Sequence, residues 1–177
     1  AQNISIAENV LESDDVLSTI NCLKKLGVKI LKTGNKKFSI YGKGLGSLYA
    51  KKNTTLNFGN SGTLARLLIG ILSTTPNIEL KLTGDSSLKR KSMKGIIQLM
   101  TRFGATFFPK GKFNFPLKII SSKMPIGIDY EAGVSAQLKS AVILAGLNAY
   151  GNTRISEKSF SRNHTENILM KNNKIIK

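Results

Sequence analysis

Apolar residues that recur at helical spacing predict most of the helices in this chain. The first helix is predicted between Ser13, a good N-cap, and Gly27, a stop signal. Its apolar face consists of Val16, Leu17, Ile20, Leu23 and Leu26. The same period predicts further helices over 61–72, 87–103 and 135–147, and the start of another at Ser161.

Short apolar or alternating runs between these helices predict strands. They read VKIL (28–31), FSIY (38–41), LNF (56–58), IELKLTG (78–84), ATFF (105–108), LKIISS (117–122), IGIDY (126–130) and NTRISEK (152–158). The tract GKGLG at 42–46 has the glycines of a phosphate loop, but no helical run follows it at once, so we interpret it as a turn. Strands alternate with helices, which predicts an α/β fold.

The sequence repeats itself after 74 residues. SGTLARLLIGIL begins at Ser61, and SAQLKSAVILAGL begins at Ser135. Ser13, Ser87 and Ser161 open three further predicted helices at the same interval. A fixed interval of this kind indicates a duplicated supersecondary unit. The chain should therefore hold about two units and the start of a third.

Composition narrows the class of protein. The chain has 177 residues with 41% hydrophobic content, enough to fill a core, so global disorder is not expected. No run of about 18 apolar residues occurs, and we expect no membrane partner. Its one cysteine, Cys22, excludes an internal disulfide and a cysteine-based zinc site. Cys22 falls on the apolar face of the first helix, which favours a buried structural thiol over a nucleophile.

The net charge of +17 leaves two interpretations open. One is a noncatalytic basic module that binds nucleic acid or another polyanion. The other is an excess of lysine that accompanies abundant asparagine and isoleucine and equally suits small phosphorylated ligands. The lysines are dispersed, and only KRK at 89–91 forms a tight triplet, without interleaved aromatic residues. We therefore favour a phosphorylated small molecule and expect no nucleic-acid partner.

Several predicted helices begin with small polar residues. A helix N-terminus exposes unpaired N–H groups and carries partial positive charge, so it can bind an anion. Basic side chains near these starts are Arg66, Arg90, Lys91, Lys139 and Arg162. If repeated units place like ends together, the starts form one surface for a ligand with two anionic groups. The alternative is that Ser and Thr simply cap the helices.

No metal or hydrolase constellation is apparent in the sequence. The only histidine is His164, and it has no cysteine or carboxylate at metal-ligand spacing apart from Glu166. Carboxylates are scarce near the proposed surface, so we expect no metal, no cofactor and no catalytic acid–base pair in this chain.

Four segments together resemble one enzyme family. They are NFGNSGTLARLL (57–68), LTGDSSLKRKSM (82–93), SAQLKSAVILAGLN (135–148) and SRNHTENIL (161–169). In this order they resemble the 5-enolpyruvylshikimate-3-phosphate synthases, and specifically their class II bacterial branch. The resemblance covers nearly the whole chain, and four linked motifs are far more specific than any single one.

The resemblance implies an architecture and an activity. Family members have two domains of three βαβαββ units each, with helices inside and sheets outside, an inside-out α/β prism. Residues 1–177 would be a partial single domain, about two units plus the start of a third, without the second domain. The implied reaction transfers the enolpyruvyl group from phosphoenolpyruvate to shikimate 3-phosphate in aromatic amino-acid biosynthesis. It implies a cytoplasmic enzyme, monomeric at full length, that needs no cofactor.

The matched motifs also imply residue roles. Those expected to bind shikimate 3-phosphate are Ser135, Ala136, Gln137, Ser161 and Arg162. Those expected to bind phosphoenolpyruvate are Asn60, Gly62, Thr63, Lys91 and Gln137. Arg66 would lie behind the phosphoenolpyruvate loop.

The chain departs from the family pattern at several positions. Lys91 stands where the family has an arginine, and lysine keeps the charge but loses the planar two-point fork. Ser92 replaces a proline, and Asn163 replaces an aspartate. The family's lysine-serine segment and its catalytic acid and base have no counterpart here. We therefore expect a piece of a longer enzyme that has no carboxyvinyl-transfer activity by itself.

Overall fold

The structure is a computed structural model that describes residues 2–171. Its helices are α1 (Asp14–Lys25), α2 (Gly62–Thr74), α3 (Ser86–Arg90), α4 (Lys94–Arg102), α5 (Ala136–Gly146) and α6 (His164–Met170). Its strands are β1 (Ile4–Ala7), β2 (Lys29–Gly34), β3 (Lys37–Tyr41), β4 (Thr55–Asn57), β5 (Glu79–Thr83), β6 (Thr106–Phe108), β7 (Leu117–Ile120), β8 (Asp129–Ala132) and β9 (Arg154–Glu157). The predicted mixture of helices and strands is confirmed.

Side-chain caps set the starts of three helices. The hydroxyl of Ser61 accepts a hydrogen bond from the N–H of Leu64, and Ser135 does the same for Leu138 in the equivalent helix. The carboxylate of Asp85 caps α3. Each cap satisfies one of the N–H groups that a helix start leaves without a partner.

The strands form three sheets. The largest has the order β4-β5-β7-β6, in which β4 and β5 are parallel and the other pairs are antiparallel. A second sheet, β1-β3-β2, is antiparallel throughout. The third pairs β8 with β9 in parallel. The order β5-β7-β6 matches β1-β3-β2, and the parallel pair β4-β5 matches β8-β9, so the sequence repeat is visible in the topology.

The repeat also appears in the packing of α2 against α5. These helices hold equivalent places in the repeat and run parallel, because Thr63 contacts Gln137 at one end and Thr74 contacts Ala145 at the other. Most of α2 is buried, and α4 packs on both helices. Helices α2, α4 and α5 therefore form the interior of the fold, as an inside-out prism requires.

The structure corrects three of the predicted elements. The predicted helix over 87–103 is two helices, because the N–H of Met93 donates to Phe113 rather than continuing the helix. The strand predicted at 126–130 begins only at Asp129, and Ile126 makes a single bridge with Tyr150. The last helix starts at His164 instead of Ser161.

Candidate functional site

The starts of α2 and α3 lie side by side because they follow neighbouring parallel strands. The N–H of Asp85 donates to the carbonyl of Gly59 over 2.9 Å and joins the two loops. A Cβ at Gly84 would lie 2.9 Å from the same carbonyl oxygen, so the junction needs a glycine. The two helix starts therefore share one edge of the four-stranded sheet.

The start of α5 contacts the start of α2. The side-chain amide of Gln137 donates a hydrogen bond of 2.8 Å to the hydroxyl of Thr63. These residues are one repeat apart, so duplication of the unit places two equivalent first turns in contact. One side chain thereby connects the loop predicted to hold phosphoenolpyruvate with the loop predicted to hold shikimate 3-phosphate.

The segment before α6 completes this surface, which we call the helix-start surface. It comprises the first turns of α2, α3 and α5 and the residues 157–166. The hydroxyl of Thr165 donates to that of Ser140 over 2.7 Å, which places α6 beside α5. Four predicted helix starts thus come together, and of their serines only Ser61 and Ser135 act as caps, while Asp85 caps α3.

The glycine-rich loop before α2 is presented to solvent. Asn60 and Thr63 are exposed, and Gly62 between them is half-buried. The guanidinium of Arg66 donates to the carbonyl of Gly62 over 3.0 Å, behind the loop. Burial lowers the pKa of Arg66 from its usual value. Arg66 therefore supports the loop from within the fold, and Asn60 and Thr63 face outward.

Two cations at the end of α3 and one in the segment 157–166 have no carboxylate partner in the described part of the chain. Arg90, Lys91 and Arg162 are exposed, and none of them forms an ion pair within residues 2–171. The side-chain amide of Asn114 bonds to the carbonyl of Lys91 and fixes the end of α3. These unpaired charges are available to an anionic ligand.

Lys139 does not belong with these cations. Its side chain is only 2% exposed, and its ammonium lies 2.6 Å from Glu166 Oε1 and 3.1 Å from Glu157 Oε2. Burial works to lower the pKa of Lys139, but the hydrogen bonds and charges of Glu166 and Glu157 outweigh it and raise that pKa. Lys139, counted in the sequence among the basic side chains near the helix starts, is therefore buried and paired, and two carboxylates lie beside α5.

Ser161 is engaged by the same cluster. Both its hydroxyl and its backbone N–H donate to Glu157 Oε1, over 2.6 Å and 3.2 Å. The hydrogen bond from Ser161, and after it the one from Lys139, hold the pKa of Glu157 below its usual value. Sequence reasoning missed Glu157, which stands at the end of a strand 18 residues from Lys139.

The other predicted residues occupy different parts of the surface. Ser135, Ala136 and Gln137 are half-buried at the start of α5, and Arg162 is exposed next to Ser161. The described residues also bear on metal binding. Among residues 2–171 no cluster of His, Cys, Asp and Glu could hold a metal ion. No helix in that range is long and apolar enough to cross a membrane.

Two open pockets lie away from the helix-start surface. One of about 360 Å³ lies between α4 and β6, with Gln98 and Phe107 in its wall. The other, of about 260 Å³, lies beside the loop 42–48 and the C-terminal end of α5. Neither pocket is lined by a residue of the helix-start surface, which is distinguished by its unpaired cations.

Comparison with known proteins supports one family. The family model for EPSP synthase (3-phosphoshikimate 1-carboxyvinyltransferase) matches residues 1–177. Two proteins named 3-phosphoshikimate 1-carboxyvinyltransferase are similar to the chain. The one from Thermodesulfovibrio yellowstonii is 42% identical over 170 residues, and the one from Caldicellulosiruptor saccharolyticus is 44% identical over 171 residues. Each comparison covers 96% of this chain and 39% of the relative.

A solved structure agrees with these relatives. The EPSP synthase from Acinetobacter baumannii superposes with a TM-score of 0.87 at 35% identity, covering 96% of this chain and 38% of that one. The chain thus spans less than two fifths of the length of the proteins it matches. The match over all 177 residues, the agreement in fold and the four motifs around the helix starts place this chain in the EPSP synthase family.

Proposed function

We propose that this chain is the part of a carboxyvinyltransferase that binds shikimate 3-phosphate and one side of phosphoenolpyruvate. The observation that carries the proposal is the helix-start surface, where Thr63 of α2 contacts Gln137 of α5, together with the exposed cations Arg90, Lys91 and Arg162, which have no carboxylate partner within residues 2–171. Aligned helix starts and cations suit two phosphorylated reactants. The complete enzyme would move the enolpyruvyl group to the 5-hydroxyl of shikimate 3-phosphate and release inorganic phosphate.

Two groups of residues would hold the two reactants. Shikimate 3-phosphate would lie against Ser135, Ala136, Gln137, Ser161 and Arg162. Phosphoenolpyruvate would lie against Asn60, Gly62, Thr63, Lys91 and Gln137. Gln137 belongs to both groups, and its hydrogen bond to Thr63 supports this assignment because it brings the two loops within 2.8 Å of each other.

These residues would orient the reactants and stabilise charge rather than transfer protons. Glu157 and Glu166 are the carboxylates beside α5, and Lys139 engages both of them. Neither is therefore a free general base. We infer that the acid and the base come from groups outside residues 2–171 and that this chain by itself is inactive. Fixed N–H groups and cations contribute by holding the reactants in line and stabilising developing charge.

The finer assignments form part of the same proposal. The motifs favour the class II bacterial branch, and the expected enzyme is cytoplasmic, monomeric and independent of any cofactor. The resemblance of four motifs to that branch supports the assignment, and their order along the chain matches the family.

Phosphate release tests the proposed function directly. The full-length protein that carries this segment should release inorganic phosphate only when both reactants are present, and residues 1–177 alone should release none. Arg162→Ala should weaken binding of shikimate 3-phosphate about tenfold or more, since it removes a charge-assisted hydrogen bond. Lys43→Ala, a change in the turn at 42–46, is the matched loss of charge and should leave binding unchanged. A full-length protein that binds neither reactant would refute the proposal.

The net charge of +17 favours a second candidate, a noncatalytic module that binds polyanions. Its signature is sequence-independent binding of DNA or RNA that weakens steeply with salt. Saturable binding of shikimate 3-phosphate at physiological salt, with no retention on DNA, would exclude this candidate.

A further inference from the structure

The buried ammonium of Lys139 joins three elements next to the helix-start surface. Lys139 lies on the first turns of α5, Glu157 ends β9, and Glu166 lies on α6. The ammonium bonds to both carboxylates, at 3.1 Å and 2.6 Å. A buried charge costs free energy unless it is paired, so this position requires both partners.

The cluster continues to the residues that flank a predicted substrate ligand. Glu157 uses its second oxygen, Oε1, to accept both donors of Ser161. Arg162 follows Ser161 directly, so the position of its backbone depends on Glu157. The hydrogen bond from Thr165 to Ser140 holds the other end of the segment against α5. Residues 157–166 are thus fixed to the helix that begins at Ser135.

We propose that Lys139 is a positioning residue that sets the affinity for the phosphorylated substrate without touching it. By holding Glu157 and Glu166, it fixes the backbone of Ser161, and Arg162 directly after it, beside α5, so that Arg162 and the start of α5 can bind the same phosphate. Without the ammonium, two neighbouring carboxylates lose their shared partner and repel each other, which releases the segment. The inference rests on the proposed function, because it concerns the shikimate 3-phosphate side of that site.

The test compares substitutions in the full-length protein. Lys139→Met keeps the length of the side chain and removes the charge, Lys139→Arg keeps the charge, and Glu157→Ala frees Ser161. The dissociation constant of shikimate 3-phosphate is measured by titration calorimetry, and the KM for phosphoenolpyruvate and the melting temperature are measured beside it. We expect Lys139→Met and Glu157→Ala to weaken binding of shikimate 3-phosphate by about tenfold to a hundredfold. Lys139→Arg should recover most of that affinity.

Glu79→Ala is the matched control. The side chain of Glu79 is 20% exposed, like that of Glu157, and it also pairs with two groups, in this case Lys52 and Lys118. Glu79 stands at the end of β5 that lies away from the helix starts. Its loss should reduce stability and leave the affinity for shikimate 3-phosphate unchanged. If Lys139 had only a structural role, Lys139→Met would likewise lower the melting temperature, and it would not weaken binding of shikimate 3-phosphate more than that of phosphoenolpyruvate.

Each possible result either supports the inference about Lys139 or overturns it. Unchanged affinity for shikimate 3-phosphate in Lys139→Met would overturn the inference, as would an equal loss of affinity for both substrates. If Lys139→Met does not fold, Glu157→Ala decides, since affinity equal to that of the parent would overturn the inference in the same way. A parent protein that does not bind shikimate 3-phosphate would refute the proposed function itself, and the inference with it.

Discussion

The packing of α2 against α5 predicts the effect of one added methyl group, in Gly70→Ala. At Gly70 no side chain separates the two helices. A Cβ there would lie 2.6 Å from the carbonyl oxygen of Ala141 and 3.0 Å from its Cα. Both are backbone atoms of a helix, which cannot rotate away. Comfortable C–H···O contacts span about 3.3–3.6 Å, so the helices would have to separate by roughly 0.7–1 Å.

The expected change in the free energy of unfolding is the difference between two opposing effects. Overpacking of this kind costs about 1–3 kcal/mol, and replacing glycine by alanine in a helix returns about 1 kcal/mol. Gly95→Ala in α4 is the matched control, because Gly95 is exposed and its Cβ would meet only the end of the flexible Leu138 side chain, at 3.2 Å. Since both changes gain similar helix propensity, Gly70→Ala should be less stable than Gly95→Ala by about 1–3 kcal/mol.

Urea unfolding of the two variants in the same protein measures this difference. The midpoint of Gly70→Ala should lie below that of Gly95→Ala, with unchanged slopes. A Gly70→Ala variant as stable as Gly95→Ala would show that a Cβ at position 70 does not meet the carbonyl oxygen of Ala141 at 2.6 Å, and the argument for close backbone contact between the repeat-related helices would fail.

Three further predictions concern the thiol, the site and pH. Cys22 is buried and its pKa is raised by burial to about 11, so it should react with a disulfide reagent only as the protein unfolds, and rapid labelling of the folded protein would contradict this. Lys91→Arg in the full-length protein should lower the KM for phosphoenolpyruvate about tenfold, because it restores a two-point contact, whereas an unchanged KM would show that Lys91 suffices or is not a ligand. Because the pKa of Glu157 is held below its usual 4.5, first by Ser161 and then by Lys139, its stabilising contribution is present above that pH and is lost as the pH falls through the lowered value. Glu157→Ala should therefore flatten the loss of melting temperature below about pH 4.5, and an unchanged acid slope would argue against the pairing.

Local signals in the sequence were sufficient to predict the two helices that are related by the 74-residue repeat. The helix predicted at 61–72 appears at Gly62–Thr74 with the expected Ser61 cap, and Ser135 caps the equivalent helix. The contact between Thr63 and Gln137 follows from the repeat only after the two helices are known to be parallel. Capping and periodicity are properties of neighbouring residues, which is why one sequence reveals them.

The errors arose where distant residues decide the local structure. The break between α3 and α4 depends on Phe113 and Asn114. In the sequence these residues lie well after the backbone groups of residues 89–93 that they bind. Lys139 looked like a surface cation because its partners, Glu157 and Glu166, come from a later strand and helix. The lysine sits among apolar neighbours in KSAVILAG, and that pattern is the one sequence signal that could have indicated burial.

The three-stranded sheet has a practical consequence for handling the chain. Strand β1 pairs with β3 along one edge, and no strand among residues 2–171 covers its other edge. The corresponding edge of β5 is covered by β4. On β1 that uncovered backbone is flanked by Ile4 and Ile6, which are 57% and 61% exposed. An open edge with apolar side chains is a template for intermolecular strand pairing, so residues 1–177 prepared in isolation should aggregate through this edge, and a lysine in place of Ile6 should keep the preparation dispersed.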